Sequence, residues 1–188
     1  DNAVKAGVNY FDTAYNYCDG ESEIITGKLL DKYPRDSYYL ATKLPVWKCQ
    51  SVEDAKNIFE EQLKKLNKDY IDFYLLHAIG KKDYDRVKEL GIVEFVQSLK
   101  NEGKIKHYGF SFHATPELLD KILTEHPDVD FIQLQINYAD WENPSVTSRA
   151  NYEVARKHSV PIVVMEPVKG GGLAMVPEAC LLYTSDAA

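Results

Sequence analysis

No stretch of this chain approaches the ~18 consecutive apolar residues that a membrane-spanning helix needs, so none is encoded. Cysteine is scarce: Cys18, Cys49 and Cys180 are odd in number, widely spaced, and form no CxxC pair. That argues against a disulfide framework or a zinc site and fits a reducing compartment, so a cytoplasmic location is expected. Positive charge is in deficit, with 22 Lys and Arg against 29 Asp and Glu and a net charge of −7. Such a balance disfavours non-specific binding to nucleic acid or to an anionic membrane. A local cluster of donors can still outvote the global sign for a small anionic ligand. Residues 1–7 show neither the basic region nor the apolar run of a secretory signal peptide, and the chain opens without methionine. The G-x-G-x-x-G element that follows the first strand of an open dinucleotide-binding sheet is also missing.

What is present is the composition of one globular domain: 188 residues, 45% hydrophobic and 27% charged. Short apolar, β-branched or aromatic runs occur at residues 9–13, 38–44, 71–77, 106–111, 131–137 and 161–165. They read as parallel strands covered on both sides. Amphipathic runs lie between them. The clearest spans Val52–Leu66, where Val52, Ala55, Ile58, Phe59, Leu63 and Leu66 recur mostly at steps of three and four. Ser51 is its expected N-cap, with Asp54 three residues on. A second starts at Thr115-Pro116, buries Leu118, Leu119, Ile122 and Leu123, and stops at His126-Pro127. Weaker helices are expected over residues 21–32, 92–101 and 145–158. These stripes are read as core packing.

Marked by Tyr10, Tyr39, Ile71, Tyr108, Phe131 and Ile162, the strands recur 23 to 37 residues apart, as βαβ crossovers require. An open doubly wound sheet and a closed (β/α)8 TIM barrel both offer that repeat. The missing glycine element favours the barrel. Six strands are too few to close eight, so the expectation is an incomplete barrel over residues 1–179 that supplies barrel strands 2 to 7. Residues 180–188 fit no part of the repeat and read as a non-native tail.

In such a barrel, polar groups at the C-terminal strand ends face one cavity. Those positions carry Asp12, Lys43, His77, Ser111, Gln133 with Asn137, and the lead into Glu166. Taken singly, each has a bland explanation: a helix cap, a solvated amine, a structural imidazole. Three consecutive, largely apolar strands ending in Asp, Lys and His are another matter, because charges placed there are costly unless they pair.

Residues 7–17, GVNYFDTAYNY, resemble the opening active-site segment of aldo-keto reductases. Ala41-Thr42-Lys43 resembles the lysine strand of that family, and residues 70–77, YIDFYLLH, its histidine strand. The segments occur in family order and spacing, and the similarity extends over residues 1–179. The resemblance implies a (β/α)8 barrel that uses NADPH or NADH without a glycine fingerprint. It also implies a catalytic tetrad of Asp12, Tyr17, Lys43 and His77. Carbonyl reduction needs a hydride at carbon and a proton at oxygen. Tyr17 would donate the proton, Lys43 would ease its loss, Asp12 would hold Lys43, and His77 would orient the substrate oxygen. On composition alone Tyr15 competes with Tyr17; the family spacing, five residues after the Asp, selects Tyr17.

For the cofactor, the resemblance assigns Ser111 and Gln133 to the nicotinamide carboxamide. The family's Asn after Ser111 is absent, and Phe112-His113 follows instead, so one amide contact is missing or taken by His113. Met165 stands where an aromatic residue often stacks on the nicotinamide, and a thioether can still cover a flat ring. Glu166, Pro167, Val168, Lys169 and Gly170 open the loop assigned to the pyrophosphate, where glycines admit close backbone approach. Trp47 and Trp141 are candidates for a substrate pocket. No metal ligands are assigned.

The resulting expectation is an NAD(P)H-dependent oxidoreductase that reduces an aldehyde, ketone or sugar. A non-catalytic cofactor-binding or regulatory barrel subunit is the alternative. A metal-dependent hydrolase using Asp12, His77, His113 and Glu166 is weaker, for want of clustered His ligands. Segments 109–113 and 165–171 are similar to a family branch that can carry a ferredoxin-like iron–sulfur extension. The partner expected is a small carbonyl compound, with neither nucleic acid nor membrane; oligomeric state and substrate identity are unread. With two parallel edges exposed, residues 1–188 alone are expected to bind NADPH poorly and to self-associate.

Overall fold

The computed structural model describes residues 2–175. The 179/180 boundary, the expected tail and Cys180 lie outside them. A short helix α1 (Asn2–Lys5) leads into strand β1 (Tyr10–Asp12), helix α2 (Ser22–Leu30), strand β2 (Tyr39–Leu44) and helix α3 (Val52–Leu66). Strand β3 (Ile71–Ile79) is followed by two helices, α4 (Lys81–Glu89) and α5 (Ile92–Asn101). Then come β4 (Ile105–Phe112), α6 (Pro116–Glu125), β5 (Phe131–Gln135), α7 (Ser148–Lys157) and β6 (Ile162–Met165).

The strands form one sheet in the order β1-β2-β3-β4-β5-β6, and every neighbouring pair is parallel. A doubly wound sheet reverses its strand order at a switch point. This sheet never reverses, which is the winding of a barrel wall. The outer face carries the main apolar cluster, in which α3 contributes Ala55, Phe59, Leu63 and Leu66, and α5 contributes Ile92, Val96 and Leu99. The inner face carries a small second cluster of Ala41, Leu75 and Phe131, flanked by Tyr10, Phe73 and Val163.

Several helix ends follow their sequence signals. Ser51 accepts from the Asp54 amide at 3.2 Å, and the Asp54 carboxylate accepts from the Ser51 amide at 3.0 Å, closing a capping box on α3. Pro116 opens α6. Other expectations need correction. Strand β3 runs two residues beyond His77, the β5 strand stops at Gln135 rather than Asn137, and α7 starts at Ser148, three residues late. Helix α4 was not anticipated: its sequence, KKDYDRVKE, buries only Tyr84 and Val87. Two apolar residues are too few to show a helical period.

Gly27 fixes how α2 meets α3. A Cβ placed there would lie 2.4 Å from the Leu66 carbonyl oxygen, so only glycine lets the two backbones approach this closely.

Candidate active site

The period-two alternation of the strands puts Asp12, Lys43, His77, Ser111 and Gln133 on the inner face. Registers Asp12↔Ala41, Lys43↔Leu75 and Ser111↔Gln133 stack them toward the C-terminal ends of their strands.

Lys43 is 1% exposed. Its Nζ donates to the Asp12 carboxylate, to the Thr13 carbonyl at 2.9 Å and to the Tyr17 hydroxyl at 3.3 Å. An ammonium has three donors, and all three are used. Burying that charge is tolerable because the geometry pairs it; removing a partner from such a pair costs about 3–5 kcal/mol. Tyr17 reaches the amine by way of a loop that turns sharply behind it, with Cys18, Asp19 and Gly20 all at positive φ. Tyr15 is engaged elsewhere. Its hydroxyl donates to Glu61 at 2.9 Å, and its ring lies under the amines of Lys65 and Lys48.

His77 is 8% exposed. Its ring meets the edge of Tyr17, with centroids 5.7 Å apart, and faces Trp47 at 5.2 Å. Burial first, then the Lys43 and His113 charges, push its pKa down to about 4. The imidazole is therefore neutral near pH 7 and offers one N–H. Its Nδ1 is buried without a partner. Just beyond it, Ala78 adopts φ +52, and the β3–β4 register slips between Leu76 and Ile79. This bulge aims the His77 end of the strand, as bulges beside active sites do. The amide it leaves out of the ladder, on Ala78, donates to Ser111 Oγ at 2.7 Å.

Gln133 donates to the second Asp12 oxygen at 3.1 Å, and its own Oε1 is buried without a partner. Thus Asp12, Tyr17, Lys43, His77, Trp47 and Gln133 form one cluster at one end of the sheet.

The other sequence-assigned residues are placed differently. His113 lines a separate cavity with Phe112, Gln135 and Asn151. Trp141 is not brought to the cluster: it packs on Tyr152 of α7, ring centroids 5.5 Å apart, and lines a surface hollow with Glu142 and Glu153. Met165 ends β6 opposite Gln135. Glu166 sits at φ +52, and its carbonyl accepts from Asn137 at 3.1 Å. Pro167, Val168 and Gly170 are exposed. Lys169 does not stand free for a phosphate: it donates at 2.6 Å to Asp140, which is wholly buried. Asp140 also accepts from Asn137 at 2.8 Å and Gln135 at 2.9 Å, and these partners, Lys169 foremost, hold its carboxyl down at about pKa 2. Asp140 therefore ties the segment after β5 to the segment after β6, a role that its sequence context did not signal. Among the described residues, no group of three or more His, Cys, Asp or Glu side chains is arranged to hold a metal. None of the described helices is long and apolar enough to cross a membrane.

The Aldo/keto reductase family matches this sequence over residues 1–176. The chain belongs to the aldo/keto reductase family. It is 32% identical over 108 residues to the methylglyoxal reductase YeaE of Escherichia coli, a match covering 57% of this chain and 36% of that protein. Among solved structures, the aldo-keto reductase AKR11C1 from Bacillus halodurans, in its holo form, aligns with a TM-score of 0.69 at 28% identity. That alignment covers 94% of this chain and 58% of the other. An aldo-keto reductase from Klebsiella pneumoniae in complex with NADPH shares the fold, with a TM-score of 0.69 at 24% identity over 90% of this chain and 56% of that one. The chain spans between 36% and 55% of the length of the first curated relatives it matches.

For an aldo/keto reductase, the inner-face polar atoms fit a nicotinamide. The orphaned Gln133 Oε1 is a buried acceptor beside the Asp12–Lys43 pair, the kind of atom that an amide N–H satisfies. Ser111 Oγ already accepts from Ala78, so its own proton is left to donate.

Proposed function

We propose that the protein is an NAD(P)H-dependent reductase of small carbonyl compounds, with Tyr17 as proton donor. One observation carries this reading: the buried Lys43 amine holds Asp12, the Thr13 carbonyl and the Tyr17 hydroxyl at once, beside a neutral His77. Positive charge next to a phenol eases loss of its proton. Asp12 pairs with the amine and orients it, and Gln133 holds the other oxygen of Asp12. The single N–H of His77 positions the carbonyl oxygen for protonation by Tyr17, with Trp47 walling the same mouth. When bound, the dinucleotide supplies the hydride; Gln133 and Ser111 would hold its carboxamide. Proton donation of this kind is worth roughly 10²–10⁴ in rate.

Methylglyoxal reductase activity in the relative YeaE supports small aldehydes as the first substrates to try. Residues 1–179 serve in this proposal as strands two to seven of the barrel. The test is Tyr17→Phe in the full-length gene product, with oxidation of the reduced nicotinamide followed by absorbance and methylglyoxal as substrate. Turnover should fall roughly 10²-fold or more while dinucleotide affinity stays within about twofold. Near-normal turnover in this variant would refute the assignment.

A further inference from the structure

Glu23 stands outside the reacting cluster and is wholly buried, as are Thr42 and Gln62. Its Oε1 accepts from the Thr42 hydroxyl at 2.6 Å and from Gln62 Nε2 at 2.8 Å. The same Gln62 amide donates to the backbone carbonyl of Lys43 at 3.0 Å, and the Tyr74 hydroxyl donates to Gln62 Oε1 at 2.8 Å. One residue earlier, Ser22 is hydrogen-bonded to the Thr13 hydroxyl at 2.7 Å. Thr13 is the residue whose carbonyl receives the Lys43 ammonium. The first turn of α2 thus grips Lys43 from both directions, at its own carbonyl and at a residue its amine binds.

A polar network of this kind is costly to bury. Gln62 lies on the otherwise apolar buried face of α3, and α2 reaches it only because Gly27 lets the helices touch backbone to backbone. A purely structural staple would not need to converge on one lysine.

We propose that Glu23 is a positioning residue for Lys43: by fixing Gln62, it sets where the lysine carbonyl lies and so how the amine reaches Tyr17. This inference rests on the reading of Lys43 and Tyr17 given under Proposed function. The Glu23 carboxyl sits above the ordinary range, chiefly through burial. The titratable groups that face it are Tyr15 from the loop after β1, Glu61 and Lys65 from α3, and Tyr74 from β3. Its Oε2 has no partner, so a neutral amide can stand in for it.

The test uses the full-length gene product, labelled with ¹³Cζ-tyrosine, with the Tyr17 resonance assigned by Tyr17→Phe and its chemical shift read at one fixed pH. Lys43→Met is the reference for complete loss of the amine. Glu23→Ala should move the Tyr17 resonance about half of the way or more toward the Lys43→Met position. Glu23→Gln retains the Oε1 acceptor and should leave the Tyr17 resonance at the parent position. Should Glu23→Ala not fold, Gln62→Met, which removes the donor to Lys43 together with the bonds to Glu23 and Tyr74, is read on the same scale with the same expected displacement. A folded Glu23→Ala or Gln62→Met whose Tyr17 resonance stays at the parent position, or a Glu23→Gln displaced as far as Glu23→Ala, overturns the proposal. If Lys43→Met itself leaves the Tyr17 resonance in place, the failure lies in the proton-donor reading instead.

Discussion

Replacing Gly27 with alanine sets two effects of opposite sign against each other. Helix propensity favours the change: glycine inside a helix costs about 0.5–1 kcal/mol relative to alanine. Packing opposes it. The added Cβ would stand 2.4 Å from the Leu66 carbonyl oxygen, 2.7 Å from its carbonyl carbon and 2.8 Å from its Cα. All three are backbone atoms at the end of α3, so no side chain can rotate away. Either α2 moves outward by about 1 Å or α3 unwinds at its last turn. Overpacking of this kind costs about 1–3 kcal/mol. The movement also stretches the bonds from Glu23 to Thr42 and Gln62, each worth about 1 kcal/mol. Packing wins, and Gly27→Ala should lose about 2–3 kcal/mol. Urea unfolding followed by circular dichroism measures this as a lower midpoint at unchanged slope, and a thermal melt as a fall of about 4–12 °C. A variant as stable as the parent, or more stable, would show that propensity decides at this site and that the α2–α3 contact is loose.

The remaining predictions concern the cluster itself. His77 has a folded pKa near 4 against an ordinary 6.5, so the unfolded chain binds the proton more tightly. Stability should therefore fall by roughly 3 kcal/mol as pH drops from 6.5 to 4, and urea midpoints of His77→Gln should show a correspondingly flatter pH dependence. Tyr15→Phe removes only the bond to Glu61, so it should cost about 1 kcal/mol while leaving turnover within about twofold of the parent; a loss of turnover as large as that of Tyr17→Phe would reassign the proton donor. Ser111→Ala strands the Ala78 amide in the bulge and should lose about 1–3 kcal/mol, with raised amide exchange at Ala78 as the local signature. Asp140→Ala removes the common acceptor of Lys169, Asn137 and Gln135, and amide exchange over residues 166–171 should rise about tenfold; unchanged exchange would mean that another contact holds this segment.

The strands were legible in the sequence because buried parallel strands read as short apolar runs whose ends are polar. The capping box at Ser51 and Asp54 is local chemistry, so it too could be read without the fold. Helix α4 is not legible because a helix mostly in solvent carries little periodicity, and the run of β3 past His77 is not legible because a bulge leaves no mark in composition. Trp141 and Lys169 were assigned by position along the chain. Their partners, Tyr152 and Asp140, come from neighbouring loops and helices that only three-dimensional packing brings near. The pairing of Glu23 with Gln62 is illegible for a related reason: 39 residues separate them, and each alone looks like a surface residue of an amphipathic helix.

The order of strands and helices, and the appearance of Asp, Lys and His at three successive strand ends, are already written in the residues, because hydrophobic period and burial cost act locally. Folding added the choice between neighbours. Tyr15 and Tyr17 are alike in composition, yet one hydroxyl meets Glu61 and the other meets Lys43. That difference arises from a turn at positive φ and from the lie of α3, and both depend on atoms that are distant in the chain and adjacent in space.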